Sequence, residues 1–426
     1  MARFERRRWN SGQGGVTRRD RKPCDYSAYI PDRLAGRGFL LEGDVTADVA
    51  DAEAALIRFN EAAVALANTE ALARLLLRAE AVASSRIEGL EVGGRRLLRA
   101  VADRQSGEVV SDVTAAEVLG NIEAMEWAIG IISDGQEITV DVIRETHRRL
   151  LEGTRFEEYG GRIRTEQNWI GGSSFNPCTA AFVPPPPEMV DDLLVDLCTF
   201  CNDDPLPPVA QAAIAHAQFE TIHPFADGNG RTGRALLHLV LRRRGIAPRI
   251  LPPVSLILAT WSGDYIARLD GTCYEGPADS EESRAGLNRW IGFFAASCQR
   301  AVAVAKNFEH QVSEIQQDWR SRLGSVRRGS AVDLLINALP ALPVLTVNTG
   351  AELIQRSFAA ANLAVDRLVN AKALSPIKLG RRNRAFEARE LMDAFTDLER
   401  QLASPSGNTR ASAPARRVPY RRTPAK

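Results

Sequence analysis

Between positions 49 and 83 apolar residues recur three or four apart with almost no Gly or Pro, the period of an amphipathic helix rather than a strand. The same spacing predicts helices over 112–132, 139–152, 187–202, 208–221, 231–244 and 285–319, with Pro and Gly punctuating between them. The irregular stretch 160–187 contains TEQNWIGGSSFNPCTAAFVPPPP, whose four consecutive prolines forbid helix and favour extended chain. It predicts a β-hairpin, with NWI and AAFV as limbs and GGSSFNP as turn. The helical pattern breaks at GSVRRGS (324–330) and resumes in a compact helical block to about Leu402. In that block a helix, a turn and two further helices, the last near 359–371, precede the basic stretch LGRRNRAFEA. The fold class expected is mainly α.

Composition adds mostly exclusions. The chain has 426 residues, 45% of them hydrophobic, and 54 basic against 53 acidic residues leave a net charge of +1. A core for two or three domains is available, and no global field selects nucleic acid or membrane as the main partner. Residues 1–25 and 403–426 are basic or poor in aliphatic anchors, so both are expected to be disordered arms. MARFERRRWN lacks the apolar core of a secretory signal, and no apolar run reaches membrane-spanning length, so a cytoplasmic protein without membrane contact is expected. Six cysteines are too sparse for a disulfide scaffold, and the Cys198/Cys201 pair falls on helical spacing with no further ligands nearby, as small residues on a helix would.

The densest chemistry lies in HPFADGNGRTGR, 223–234. Pro224 pushes His223 out of helical geometry at the end of one apolar-faced helix, and a second begins near Arg231. The glycines flanking Asn229 let backbone N–H groups converge at a helix N-terminus, a cradle for phosphate oxygens, to which Arg231 and Arg234 would add guanidinium donors. Asp227 is at odds with an anion site unless a cation such as Mg²⁺ lies between carboxylate and phosphate. His223 at the mouth could take a proton from an attacking hydroxyl, as transfer onto phosphorus requires. A GK[ST] loop after a strand is missing, and helix rather than strand comes first, which rules out Walker A and dinucleotide-binding readings.

This stretch resembles, at every defined position, the HxFx(D/E)GNGRxxR signature of the Fic family, whose members mostly transfer AMP from ATP to hydroxyl side chains of proteins. The resemblance implies a general base at His223, a metal ligand at Asp227, and nucleotide contacts from Gly228, Asn229, Gly230, Arg231, Thr232, Gly233 and Arg234. It implies that the hairpin, through Trp169, Ile170, Gly171 and Gly172, is a flap that aligns a target segment by strand pairing. Far upstream, SSRIEG (84–89) reads by itself as a helix ending at Gly89. It also resembles the family's inhibitory (S/T)xxxE(G/N) motif, which implies that Ser84, Glu88 and Gly89 are regulatory and that Glu88 pairs with Arg234 to hinder productive ATP binding.

The expected organisation is a disordered arm 1–25, an N-terminal Fic-associated helical segment 26–110 carrying the inhibitory helix, a catalytic core 111–322, a winged helix-turn-helix-like domain 330–402 and a disordered tail 403–426. The expected activity is AMP transfer from Mg-ATP to a Ser, Thr or Tyr hydroxyl of a target protein or of the chain itself, restrained by Glu88. Two alternatives stay open: removal of AMP from a modified protein, and a nucleotide-sensing DNA-binding regulator. The C-terminal block leaves DNA contact and protein contact, including a homodimer, equally open.

Overall fold

The computed structural model describes residues 1–10, 17, 21–63, 69–105, 109–379 and 383–402. Strands β1 (Arg3–Trp9) and β2 (Cys24–Ile30) open the chain. The N-terminal helices follow as α1 (Gly43–Ala63), α2 (Thr69–Ile87) and α3 (Gly94–Gln105). Next come α4 (Val113–Ile131), α5 (Val140–Leu151), α6 (Val190–Asn202), α7 (Pro208–Ile222) and α8 (Asn229–Arg243). The chain continues through α9 (Val254–Thr260), α10 (Ser262–Asp270) and α11 (Glu281–Leu323). The last unit runs α12 (Ala331–Ala338), β3 (Val344–Thr346), α13 (Val347–Leu353), α14 (Phe358–Asn370), β4 (Ser375–Leu379), β5 (Asn383–Glu387) and α15 (Arg389–Gln401). The protein is mainly α, as its periodicity predicts.

Side-chain caps fix where several helices begin. Asp112, Thr139 and Ser280 each accept a backbone N–H at the start of α4, α5 and α11, relieving donors that have no partner within the helix. Helix α7 is buried on nearly every side, as its even apolar distribution demands, and α6, α8, α11 and α1 surround it. The Nε1–H of Trp290 on α11 donates to the carbonyl of Ala213 inside α7, which fixes the crossing of these two long elements. The 43 residues of α11 carry it from this core to the C-terminal unit, where Gln316 donates to the carbonyl of Ile336.

Helices α4 and α5 approach closely at Gly120, where a Cβ would lie 2.7 Å from the carbonyl oxygen of Leu150. Gly120→Ala is therefore expected to cost about 1–3 kcal/mol, since the obstacle is backbone and cannot rotate away. A lowered urea midpoint would show this, and an unchanged midpoint would mean that the two helices separate freely.

The N-terminus differs from expectation. Instead of a disordered arm, β1 pairs antiparallel with β2 at all seven positions, from Arg3 opposite Ile30 to Trp9 opposite Cys24. Its arginines are compensated locally: Arg6 by Asp25, and Arg7 by Glu5 and Glu188, both at 2.8 Å. Phe4 packs on Tyr29 and Trp9 on Trp169, so a run that counts as basic is tied down by pairing and aromatic contact. Residues 11–16 and 18–20 of the expected arm, and the expected tail 403–426, lie outside the described residues.

The predicted hairpin at 168–183 is reduced to one bridge, Ile170 opposite Phe182. Gly171 and Gly172 both have φ near +74°, a left-handed turn that leads the chain away before a ladder can extend. Cys198 and Cys201 are buried free thiols on α6, and burial pushes the Cys198 thiol up to about 12, which makes it inert. Cys24 and Cys178, 154 residues apart, form a disulfide that the cysteine spacing does not announce. In the C-terminal unit β5 is the central strand, with β3 on one side and β4 on the other, all antiparallel. Of the basic stretch LGRRNRAFEA, Arg381 and Arg382 lie outside the described residues, and Arg384 lies over the ring of Phe386.

Candidate active site

The site is built where α7 ends and α8 begins. His223 caps α7 with φ of 50°, a left-handed conformation uncommon for a residue with a side chain. Two side chains from upstream hold this turn. Arg164 donates to the carbonyls of His223 at 2.8 Å and Ile222 at 3.3 Å, and Asn168 donates to those of His223 at 3.2 Å and Phe225 at 3.1 Å. The Nδ1 of His223 lies 3.3 Å from the carbonyl of Glu220, which makes Nδ1 the protonated nitrogen and leaves the Nε2 lone pair free. Burial pushes this imidazole down to about 4, so it is neutral at pH 7.

The loop to α8 is closed by its own asparagine. Asn229 accepts from the amide of Phe225 and donates to its carbonyl, both at 2.8 Å, so its side chain braces the loop from inside rather than reaching outward. Thr232 similarly donates to the carbonyl of Gly228. Beneath the loop, His147 stacks on Phe225 at 3.7 Å between ring centres. Its Nδ1 accepts from the amide of Gly161, so its Nε2–H donates to the carbonyl of Asp227 at 2.9 Å. Burial holds this histidine near 4 as well, which keeps it neutral in this supporting role. Gly228 must be glycine: its φ is +75° and a Cβ would lie 2.9 Å from Leu150.

Two arginines follow on the first turns of α8. Arg231 is 3% exposed, and neither its Nε nor its Nη1 has a hydrogen-bond partner, although Asp227 lies 3.6 Å from its Nη2. Burial lowers its pKa without depriving it of its charge at pH 7. Arg234 is fully buried and fully engaged. Its Nε donates to Ser84 Oγ at 2.8 Å, and its Nη2 donates to the Ser84 carbonyl at 2.9 Å and to Glu88 Oε1 at 2.7 Å. Burial alone would raise the Glu88 carboxyl, but Arg234, with help from Arg231, outweighs it and holds Glu88 below the usual range.

The Glu88 carboxylate also lies over the N-terminus of α8, since a Cβ on Gly230 would fall 2.0 Å from its Oε1. It thus occupies the place where a helix N-terminus attracts an anion. Gly89, with φ of 79°, ends α2 in a left-handed turn, its amide bonded to the Arg86 carbonyl and that of Leu90 to Ser85, so the helix-end reading and the pairing of Glu88 hold together. Behind Arg234, burial pushes the carboxyl of Glu220 up to about 7.

The structure therefore brings together His223, Asp227, Gly228, Asn229, Gly230, Arg231, Thr232, Arg234, Ser84 and Glu88. Gly233 faces the other way, toward Glu220 and Phe219 in α7, as a helix-packing glycine. Trp169, Ile170, Gly171 and Gly172 stand at the rim on the segment that Asn168 anchors to the His223 turn. The reading of the sequence missed His147, Arg164, Asn168 and Glu220. A candidate cation site is limited to Asp227, whose carboxylate is 44% exposed at the mouth of the loop. Among the described residues no group of three or more His, Cys, Asp or Glu is placed to hold a metal, so a cation here fits only with phosphate oxygens and waters as its remaining ligands.

These features define a helix N-terminus with two buried arginines, a neutral histidine beside it and a carboxylate from the end of α2 paired with one of the arginines. Residues 137–241 match the Fic/DOC family and residues 46–130 match the Fic/DOC family N-terminal segment, so the chain carries a Fic domain preceded by that segment. It is 37% identical over 186 residues to the protein adenylyltransferase fic-1 of Caenorhabditis elegans, covering 42% of this chain and 34% of that protein. Over 139 residues it is 37% identical to the protein adenylyltransferase Fic of Drosophila willistoni, covering 32% and 26% respectively. The match thus spans about a third or less of the length of these curated relatives. Among solved structures, a Fic family protein from Desulfovibrio desulfuricans G20 is similar at 20% identity and a TM-score of 0.49, over 82% of this chain and 97% of that one. Fic-1 from C. elegans is similar at 26% identity and a TM-score of 0.45, over 62% and 73%. Among the described residues no helix is long and apolar enough to cross a membrane.

Proposed function

We propose that this chain transfers AMP from ATP to a hydroxyl side chain of a protein and that Glu88 restrains the reaction. One observation carries the reading: of the two buried guanidiniums on the first turns of α8, Arg231 has N–H groups without partners, and Arg234 is held by a carboxylate from elsewhere in the chain. A polyphosphate satisfies both, meeting Arg231 directly and Arg234 once Glu88 withdraws. The names of the curated relatives point the same way.

In this reading the hydroxyl oxygen bonds to the α-phosphorus, its proton passes to Nε2 of His223, and the bond to pyrophosphate breaks. The Glu220 carbonyl keeps the imidazole in the required tautomer, and Arg164 and Asn168 keep its backbone in the left-handed turn. The α8 N-terminus and the two arginines hold the charge that leaves with pyrophosphate. Asp227 would hold a divalent cation such as Mg²⁺, which would neutralise phosphate charge when bound. The flap at 169–172 would present a strand edge to the target. We further read the C-terminal unit as a winged helix-turn-helix, supported by its element order of helix, strand, two helices and two strands.

The experiment is incorporation of label from α-labelled ATP with Mg²⁺ into the purified protein and a cell lysate, with wild type beside Glu88→Gly. Label that depends on the protein supports the reading, and no label from either form overturns it. The pH dependence gives a second check. Because His223 is held near 4, below its ordinary 6.5, it stays neutral as pH falls from 8 to about 5 and is lost as a base only as pH approaches 4. An inflection near 7 would belong to Glu220 and vanish in Glu220→Gln. One near 6.5 that survives this substitution would contradict the assignment to His223.

A further inference from the structure

The hairpin β1–β2 stands directly behind the flap. The amide of Tyr29 in β2 donates to the carbonyl of Val183 at 2.9 Å. One residue earlier, Phe182 exchanges backbone hydrogen bonds with Ile170, at 2.8 and 3.2 Å. Hydrogen bonds thus run in order from β1 through β2 to the outgoing limb of the flap and then to its incoming limb. Backbone groups alternate sides along an extended chain, so those of Trp169, which precedes the left-handed turn at Gly171–Gly172, face away from Phe182, toward the open edge. Rings reinforce the array: Tyr29 lies 6.0 Å from Phe182, and Trp9 meets Trp169 edge-on at 5.4 Å.

Hydrogen bonds tie the tip of the flap to itself. Trp169 Nε1 donates to the Ser173 carbonyl, and the Ser173 amide donates to Thr179 Oγ1 at 3.2 Å. The strongest link at the tip is covalent, from Cys178 in the 3₁₀ turn Pro177–Thr179 to Cys24 at the start of β2, with Cα atoms 5.8 Å apart. Both residues are half-buried, whereas the free cysteines Cys198, Cys201 and Cys298 are buried and Cys273 is half-buried. Partial exposure makes a disulfide easier for a small thiol to attack than burial does.

We propose that Cys24 and Cys178 are a thiol–disulfide pair that positions the open edge of the flap. Closing joins the two sulfurs while a small-molecule disulfide such as oxidised glutathione is reduced to two thiols, which receive the two protons the cysteines lose. Opening is the reverse. In the closed form the edge at Trp169–Gly172 is tied covalently to the hairpin; in the open form the tip keeps its noncovalent ties alone, the Ile170–Phe182 bridge and the hydrogen bonds of Trp169 and Ser173 among them. That the edge receives a target segment rests on the AMP-transfer reading, but the positioning of the edge does not.

The test uses the full chain poised in oxidised or reduced glutathione, beside Cys24→Ser and Cys178→Ser. Mass spectrometry after alkylation reads the pair, and hydrogen exchange reads the amides of 169–182. The expected result is a bond under oxidised glutathione, flap exchange at least ~10-fold faster on reduction, and both serine variants resembling the reduced protein under either condition. Binding of a fluorescent ATP analogue should differ less than about twofold between the two states, a readout that general unfolding would move. Two free thiols under oxidised glutathione, or equal flap exchange in both states, would overturn the proposal. Self-labelling from α-labelled ATP, measured in Glu88→Gly, should follow the redox state. Absence of label throughout would count against AMP transfer alone, with the exchange data still deciding the brace.

Discussion

His223→Ala is expected to lower AMP transfer by roughly 10²–10⁴-fold, the usual contribution of a positioned general base, while nucleotide affinity changes less than about twofold. The separation follows from how the turn is held. Arg164 and Asn168 bind the carbonyl of residue 223, not its side chain, so the left-handed turn and the loop to α8 survive loss of the imidazole. The groups proposed to hold the nucleotide, Arg231, Arg234 and the α8 N-terminus, stand apart from the bond this imidazole makes among the described residues, which is to the Glu220 carbonyl. Single-turnover transfer measured in the Glu88→Gly background, with calorimetric binding of a non-hydrolysable ATP analogue alongside, separates the two effects. Loss of binding in parallel with transfer would mean that His223 supports the fold of the loop rather than moving a proton. Retained transfer would place the base elsewhere.

The stretch around the site was legible because its chemistry is local. Twelve consecutive residues carry the turn, the helix start and both arginines, and the helix-to-helix geometry follows from Pro224 and the glycines. Glu88 was legible only through its motif, since the ion pair joins residues 146 positions apart. His147 and Arg164 left no comparable trace: they act on backbone carbonyls 80 and 59 residues away, and a carbonyl acceptor has no sequence signature. The cradle reading of Asn229 rested on backbone N–H groups, and the bracing of the loop by its side-chain amide, bonded to Phe225 on both edges, left no signal in the sequence. The N-terminal strand was misread for an electrostatic reason. Its arginines count as a solvated charge run until Glu5, Asp25 and Glu188, two of them distant in sequence, are placed beside them. Cys24, opposite Trp9 in the strand pair, also meets Cys178 across 154 residues, a link that spacing alone could not make.

Glu88→Gly is expected to strengthen ATP binding and transfer by roughly 5- to 150-fold, the range of coupling energies between competing sites. In the proposed reading Glu88 and a phosphate compete for Arg234 and for the α8 N-terminus, so removing the carboxylate removes a competitor and no contact that ATP needs. The same change should make the nucleotide-free protein less stable. Arg234 is 1% exposed and loses its ion-pair partner, and it keeps Ser84 as an acceptor. The cost should be about 1–3 kcal/mol, below that of breaking a fully buried pair, because the Glu88 side chain is 39% exposed. ATP then restores a negative partner, so saturating nucleotide should raise the melting temperature of the variant more than that of the wild type. Autoinhibition thus carries its own thermodynamic signature, a less stable free protein with a larger ligand-induced shift. A variant that is destabilised yet binds ATP no better would show that Glu88 serves the helix end and the fold of α2 against α8 but does not compete with nucleotide.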